Sequence, residues 1–339
     1  MLLARFTHQS APTPPPPPPP ARPPPPPASP QVNKLLVENF GFKFVLLLSG
    51  LHFLMGYAFM QFASSDRVKL FTRAEGVPSA TINKLALAGA GSIVLLNYSL
   101  RLNSVGTYQI MKVAILPAVM ALSVLQSISS PSRSEVGAAA LVVVGTLVCT
   151  ASDVLMTLLG LVVGVAGVLS TAQYQLWQGT VQKENGISST QALHLMSLPQ
   201  AYMCFAVSLV AEVDWPTYLG AARGLLGGGG SALDAAAAAA APPPDDIFRH
   251  PYSALELALI LLTCVFAAAL NYSTLGVIGK TSAVTMQFVA QVKTVLTIAM
   301  GAVLFPKPTP ADKVVGMFVG LALVVTGVMI YTKLKSGGK

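Results

Sequence analysis

The stretch NYSLRLNSVGTYQIMK, residues 97–112, is repeated in outline 174 residues later by NYSTLGVIGKTSAVTMQFVAQVK, residues 271–293. Both stretches lie within long apolar segments, and each ends in a lysine, Lys112 or Lys293. A lysine at the centre of a membrane helix costs about 2.5–3.5 kcal/mol on insertion scales, and such residues usually mark a functional site. Two of them, placed alike in two halves of one chain, predict a repeated transporter scaffold with a central site for an anion.

The composition of the chain is typical of a membrane protein. Of its 339 residues, 53% are hydrophobic and only 10% are charged, and the mean hydropathy is +0.64, whereas soluble domains carry about 25% charged residues. We therefore expect an all-α, polytopic membrane protein. The formal charge is +8, but no basic run is interleaved with aromatic residues, so no nucleic-acid partner is predicted.

The sequence predicts neither a cofactor nor a metal site. The three cysteines, Cys149, Cys204 and Cys264, fall within apolar segments and form no CxxC motif or His/Cys cluster. The four histidines are far apart and share no motif, and HExxH is absent. A membrane enzyme acting on a lipid would need a constellation of such groups, so a transporter is the favoured class over an enzyme.

Nine apolar spans are predicted, each long enough to cross a bilayer as a helix. They lie near residues 43–63, 84–101, 104–126, 135–152, 156–178, 191–211, 253–275, 281–305 and 312–332. Basic residues close to span ends are more frequent on the side that carries the C-terminus, so that side is predicted to be cytoplasmic. Glu256 is an acidic residue placed inside a span, and its position near the start of the helix predicts a solvated side chain.

The repeat extends beyond the lysines. Val136-Gly137 opens one span and Val315-Gly316 opens the last one, and each span has a further internal glycine, Gly145 or Gly327. The repeat halves are therefore placed at about residues 33–152 and 156–335. An odd number of helices in each half would orient the halves oppositely in the membrane, with substrate bound between them near the midplane.

Two segments are predicted to lie outside this transporter domain. Residues 1–32 form a proline-rich tail, which cannot form a helix and is expected to be disordered. Residues 216–250 are rich in glycine, alanine and proline, and are expected to be a disordered insertion in one loop.

Residues 102–112, followed by Pro117, resemble the fourth helix of plant-type UDP-sugar transporters. Lys293-Thr294 resembles the Lys-Thr signature of one branch of the nucleotide-sugar and triose-phosphate transporter family, within the drug/metabolite transporter superfamily. Residues 150–153 and 182–184 also resemble that branch, and the resemblance covers about residues 33–335. It implies a fold of ten helices in two inverted repeats. Family members exchange a cytosolic nucleotide sugar for a lumenal nucleoside monophosphate in the Golgi or the endoplasmic reticulum.

The resemblance also implies a set of substrate-binding residues. Lys112 and Lys293 match the lysines that meet the ligand's phosphates in relatives, and Gln109, Asn271 and Thr294 match neighbouring polar positions. From the residues alone, Tyr108 lies one turn before Lys112, where its ring could stack on a nucleobase. A lysine that extends to the membrane surface is the structural alternative for Lys112, but the residue lies about nine positions from either end of its span.

The family's first helix should precede Asn33, where this chain is proline-rich, so nine spans are expected rather than ten. The favoured function is a Golgi antiporter that exchanges a UDP-sugar for UMP by alternating access, with a homodimer as a possible assembly. One alternative is a plastid-type sugar-phosphate exchanger in the plastid membrane, although such relatives place a second basic residue where Thr294 stands. A truncated paralogue that does not transport is a further alternative, and the endoplasmic reticulum is an alternative location.

Overall fold

The computed structural model describes residue 36 and residues 40–103, 105–150, 157–226, 246–304 and 311–337. The described chain is helical and contains no strand. Its ten helices are α1 (Val45–Ala63), α2 (Ser79–Leu102), α3 (Val105–Leu125), α4 (Arg133–Thr150), α5 (Leu158–Glu184), α6 (Ser189–Ala211), α7 (Trp215–Leu226), α8 (Ala254–Lys280), α9 (Ala283–Leu304) and α10 (Ala311–Gly337).

The predicted polytopic helical membrane protein is confirmed. Each of the nine predicted spans falls on one of the long helices, which are α1 to α6 and α8 to α10. Seven helices are long and apolar enough to cross a bilayer, judged on the described residues only. The predicted tail, residues 1–32, lies outside the described residues.

Hydroxyl side chains cap orphan backbone N–H groups at the start of several long helices. Ser188 and Gln191 form a reciprocal capping box at the start of α6, and Ser253 and Glu256 form another at the start of α8. The Thr157 side chain accepts a hydrogen bond from the third residue of α5. Because a cap of this kind is worth roughly 1 kcal/mol, these residues fix where each helix starts.

Helices α4 and α10, which end the two predicted repeats, pack together through glycine. A Cβ added at Gly145 would lie 2.7 Å from the backbone oxygen of Gly320, and one added at Gly327 would lie 2.7 Å from that of Ala138. Small residues let membrane helices approach closely enough for backbone contact. Gly145 and Gly327, which occupy matching spans in the sequence, therefore lie on opposite sides of one seam.

Helix α5 covers a face of α2 in the same close manner. Ser99 donates a hydrogen bond to the Gly160 carbonyl over 3.1 Å, and Ser170 donates one to the Ala88 carbonyl over 3.1 Å. A Cβ added at Gly164 would lie 2.8 Å from the Ser99 hydroxyl oxygen. Each hydroxyl thus bonds to a backbone oxygen of the opposite helix, which aligns the two helices along their length.

The start of α1 is capped by a residue from the far end of α6. The buried carboxylate of Glu212 accepts hydrogen bonds from the backbone N–H groups of Leu46 and Leu47, over 2.8 and 2.9 Å, and from the Ser208 hydroxyl over 2.7 Å. A negative charge at a helix N-terminus also interacts favourably with the helix dipole. This contact holds the start of the first helix against the second repeat.

The loop insertion predicted at residues 216–250 begins later than expected, because its first part is helix α7. The Trp215 indole donates a hydrogen bond to the Leu209 carbonyl over 2.7 Å, and the Tyr218 hydroxyl donates to the buried Asp246 carboxylate over 3.2 Å. These side-chain bonds fold the segment back on the end of α6. Residues 227–245, which hold the longest glycine and alanine runs, lie outside the described residues.

The expectation that Glu256 is solvated is wrong. Its side chain is 1% exposed, accepts a hydrogen bond from the Ser253 backbone N–H, and lies 2.8 Å from Nε2 of His250. His250 in turn makes edge contacts with the rings of Phe42 and Phe44. The segment before α8 therefore folds over the start of that helix and takes Glu256 out of solvent.

Candidate substrate site

The two intramembrane lysines lie on neighbouring helices, one in each predicted repeat. Lys112 lies on α3 and Lys293 lies on α9, helices that pack together, and both side chains are exposed. The two ammonium groups lie close enough for their charges to repel each other. An anion bound between them would relieve that repulsion, which is what a site for a phosphate group requires.

Tyr108 and Gln109 lie one turn before Lys112 on α3. The Lys112 ammonium lies 4.7 Å from the centre of the Tyr108 ring, a cation–π contact that holds the lysine beside the aromatic face. Gln109 is half-buried on the same turn. The predicted stripe of Tyr108, Gln109 and Lys112 is thus a continuous surface on one helix.

Thr294 follows Lys293 but turns back into its own helix. Its hydroxyl donates a hydrogen bond to the Ala290 carbonyl over 3.0 Å, an interaction within α9. The hydroxyl oxygen keeps its lone pairs, so Thr294 can accept but not also donate to a ligand in this conformation. Its predicted role in substrate binding stays a prediction.

Asn271 lies apart from the lysines on α8, where it lines a polar cavity of about 150 Å³. Helices α1, α2, α5, α6 and α8 all contribute to its wall. The other polar lining residues are Ser92, Tyr174, Gln175, Gln178, Gln200 and Thr274. The cavity carries amide and hydroxyl groups rather than charges, which suits a neutral ligand group rich in hydroxyls.

Two glutamines connect this polar cavity to the lysine helices. The Gln287 amide on α9 donates a hydrogen bond to the Gln175 side chain on α5 over 2.7 Å. Gln175 lines the cavity, and Gln287 lies on the same helix as Lys293. This hydrogen bond therefore links the helix that carries Lys293 to the wall of the polar cavity.

Comparison with known proteins places the chain in a family. It is 30% identical over 300 residues to UDP-xylose transporter 3 of Arabidopsis thaliana, an alignment covering 88% of this chain and 74% of that protein. The chain belongs to the nucleotide-sugar transporter family of the drug/metabolite transporter superfamily. It is also 29% identical over 308 residues to UDP-rhamnose/UDP-galactose transporter 2 of the same plant, which covers 88% of this chain and 77% of that one.

The family assignment confirms the predicted resemblance, and the prediction of a transporter rather than an enzyme is confirmed with it. No protein-family model matches the chain. A solved crystal structure of a protein with 13% sequence identity superposes with a TM-score of 0.63 and covers 89% of this chain and 92% of that one. At that identity the likeness shows the fold alone.

Several residues of this nucleotide-sugar transporter's polar cavity were not predicted from sequence. The Gln200 amide donates a hydrogen bond of 2.6 Å to the Tyr174 hydroxyl, and the Gln178 side chain also contacts that hydroxyl. Gln178 is buried, and its Oε1 atom accepts no hydrogen bond within the part of the chain that the structure describes. The available signal was the run of four glutamines, at positions 173, 175, 178 and 182, in an otherwise apolar helix.

Proposed function

We propose that this nucleotide-sugar transporter family member carries a UDP-sugar across the Golgi membrane in exchange for UMP. The observation that carries the proposal is that Lys112 and Lys293, one from each predicted repeat, lie near enough on packed helices for their charges to interact, and that the helix of Lys293 is bonded through Gln287 to the wall of an uncharged polar cavity. A nucleotide sugar likewise has a charged part, its diphosphate, and neutral parts, its sugar and its nucleoside. The names of the relatives, which carry UDP-xylose, UDP-rhamnose and UDP-galactose, support a uridine nucleotide.

In the proposed mechanism each lysine neutralises charge on the phosphates, and the Tyr108 ring beside Lys112 offers a face on which uracil can stack. Asn271 and its neighbours in the polar cavity would receive the sugar hydroxyls. UMP keeps a phosphate group and would satisfy the same lysines, which favours exchange over one-way transport.

The decisive experiment measures uptake of labelled nucleotide sugars into proteoliposomes that contain the purified protein and are loaded with UMP. The panel holds UDP-, GDP- and CMP-sugars together with triose phosphate. We expect uptake of one or two UDP-sugars, which depends on UMP inside the vesicles. Uptake that is the same in empty vesicles would contradict exchange, and uptake of triose phosphate alone would support the sugar-phosphate exchanger instead.

Substitution of the lysines tests the site itself. Hydrogen bonds to charged groups are worth roughly 1.5–3 kcal/mol, so Lys112→Met or Lys293→Met should each lower kcat/KM about 10- to 100-fold. The matched control is Lys333→Met, an exposed lysine at the end of α10 that should transport like the wild type. Full exchange by the double variant Lys112→Met/Lys293→Met, in protein that elutes as a single folded species, would refute the proposed site.

A further inference from the structure

A crevice opens between α9 and α10, near the turn that joins α8 to α9. Its volume is about 650 Å³, and its described lining comes from the end of α8, from α9 and from the last turns of α10. Neither Lys112 nor Lys293 belongs to that lining, and neither does any residue that lines the polar cavity around Asn271. The crevice is therefore separate from the proposed substrate site.

The lining of the crevice changes from polar to apolar along its length. Lys280, Ser282 and Lys335 lie at one end, which we call the mouth, whereas Val292 and Val328 lie at the opposite end. At 1.5 Å per residue, the stretch of α9 from Ser282 to Val292 is about 15 Å long. Because the hydrocarbon core of a bilayer is about 30 Å thick, the crevice runs along about one leaflet. A molecule that fills it must be polar at one end and apolar at the other.

The apolar part of the crevice has a closed back and an open side. The rings of Phe288 and Tyr331 are buried and stack with their centres 3.9 Å apart, and the Tyr331 hydroxyl lies 2.9 Å from the Thr285 hydroxyl. These contacts bridge α9 to α10 and form a rigid wall. Val289, which also lines the crevice, is 47% exposed. In a bilayer the surroundings of such a residue are lipid acyl chains, so the crevice is accessible from the membrane.

The mouth of the crevice carries positive charge. The Lys335 ammonium lies 2.6 Å from a carboxylate oxygen of Glu135, but the lysine side chain is 57% exposed and has three N–H donors. Lys280 is exposed as well, and no carboxylate in the part of the chain that the structure describes forms an ion pair with it. The two lysines of the mouth therefore outweigh the one carboxylate that they contact, which favours an anionic ligand.

Apolar contact alone does not hold a lipid in a crevice, because acyl chains are as apolar as the side chains that line it. A charged headgroup supplies the selectivity, and basic pockets between membrane helices on the cytoplasmic side bind anionic headgroups. The mouth lies where α10 approaches the C-terminus, which is the side predicted to be cytoplasmic. The cytoplasmic leaflet is also the one that carries anionic lipids.

We propose that the crevice binds one anionic phospholipid. Its phosphate meets Lys280 and Lys335 at the mouth, and an acyl chain lies along Val289 and Val292. A soluble anion would meet the same two lysines but would leave the apolar part of the crevice unfilled, so the graded lining favours a lipid. This proposal concerns the lipid that surrounds the protein and does not depend on which substrate is carried.

The test is native mass spectrometry of the purified full chain, titrated with phosphatidylinositol or with phosphatidylcholine that has the same acyl chains. A lysine near the membrane surface strengthens the binding of anionic lipid about five-fold, so the wild type should bind phosphatidylinositol about 25-fold more tightly. Lys280→Gln/Lys335→Gln should lose most of this preference. The matched control is Lys69→Gln/Lys183→Gln, which removes two exposed lysines outside the crevice and should keep the preference.

A second pair of variants keeps the proposal testable if the lysine variant folds poorly. Val289→Trp fills the apolar part of the crevice and leaves both lysines in place, so it should weaken phosphatidylinositol binding about 10-fold. Leu169→Trp on α5 is the control, because Leu169 is also 47% exposed but lies outside the crevice. Binding to Val289→Trp that equals binding to Leu169→Trp would show that no acyl chain lies beside Val289, and would overturn the proposal.

The headgroup titration has outcomes of its own that would overturn the proposal. These are equal binding of the two lipids by the wild type, a preference that survives in Lys280→Gln/Lys335→Gln, and a preference that the control pair loses to the same extent. The source of the phosphate is tested in Lys112→Met/Lys293→Met, which lacks the proposed substrate lysines. Phosphatidylinositol should stay bound to this variant when UMP is added, whereas its displacement by UMP would assign the crevice to a soluble nucleotide instead.

Discussion

At Gly89 the backbone of α2 touches the side chains that form the polar cavity. A Cβ added there would overlap the Gln200 amide and lie 2.8 Å from the Tyr174 ring. Those two side chains are hydrogen-bonded to each other, so neither can move without breaking that bond. Gly89 thus leaves the space in which the Tyr174–Gln200 pair can form, and a single methyl group should disturb the cavity.

We predict that Gly89→Ala lowers transport strongly, by about 10-fold or more, because overpacking of this kind costs roughly 1–3 kcal/mol at a buried contact. Gly91→Ala is the control, since its Cβ would meet the Ser170 hydroxyl at an ordinary 3.6 Å. The measurement compares the uptake rates of the two variants, each corrected for the amount of folded protein, and the rate of Gly89→Ala should be the lower one. Equal rates would show that the polar cavity is not on the transport path.

Gln178 offers a different readout, because its buried Oε1 atom lacks a partner among the described residues. A buried unsatisfied polar atom costs about 1–3 kcal/mol, so a ligand donor that reached it would gain that energy. We predict that Gln178→Met leaves the melting temperature nearly unchanged, as loss of the Tyr174 contact offsets removal of the unsatisfied atom, but raises KM for the sugar. A lower melting temperature with an unchanged KM would assign Gln178 a structural role.

Among single residues, the sequence pointed to the lysines and to Gln109 and Asn271, but not to the glutamines of the polar cavity. An intramembrane lysine is costly wherever it lies, so Lys112 and Lys293 signal a site before the fold is known. A glutamine in an apolar helix has no such cost if another helix satisfies it, as Gln287 satisfies Gln175, whereas Oε1 of Gln178 has no partner among the described residues. Which amide is satisfied depends on helix neighbours that sequence periodicity does not specify.

Among the helices, spans were predictable from apolar length, whereas the contacts that orient them were not. Nothing in the sequence indicates that Glu212 caps α1, because the two are far apart in the chain. From the sequence alone, Glu212 is simply the acidic residue that follows α6. Helix α7 was missed because its glycine and alanine residues are typical of a disordered loop, while Trp215 and Asp246 fold it through bonds formed in three dimensions.

The cap on α1 yields a prediction about that element. Glu212→Ala would leave two buried backbone N–H groups of α1 without an acceptor, and should lower stability by about 2 kcal/mol or more. Glu184→Ala, which removes an exposed carboxylate at the end of α5, is the control. Thermal unfolding in detergent, followed by tryptophan fluorescence, compares the two. A melting temperature for Glu212→Ala equal to that of the control would show that the start of α1 is held by other contacts.

For the molecule as a whole, the two repeats stay a prediction from residues that are alike in sequence, and the seam between α4 and α10 joins the ends of the two predicted halves. Gly320 lies in this seam, where an added Cβ would lie 2.5 Å from both the Gly145 oxygen and the Cys149 sulfur. The exposure of Phe266 and Leu270 on α8 was not predictable, since it follows from which helices are neighbours.

We predict that Gly320→Ala separates α4 from α10 and so lowers the yield of folded protein and its melting temperature. Gly316→Ala, one turn away on the same helix, is the control, because its Cβ would meet nothing within 4 Å. Size-exclusion elution and thermal unfolding report the difference. If both alanine variants behave alike, the two repeats are held together elsewhere.

The long reach of Glu212 to Leu46, across 166 positions of the chain, has a consequence for biosynthesis. A ribosome adds about 5–20 residues per second, so the acceptor for the first amides of α1 emerges on the order of ten to thirty seconds after the helix itself. During that interval α1 has already met the bilayer, and its leading N–H groups must be solvated by water or lipid headgroups. The packing of the start of α1 is therefore completed only when α6 and Glu212 have been synthesised.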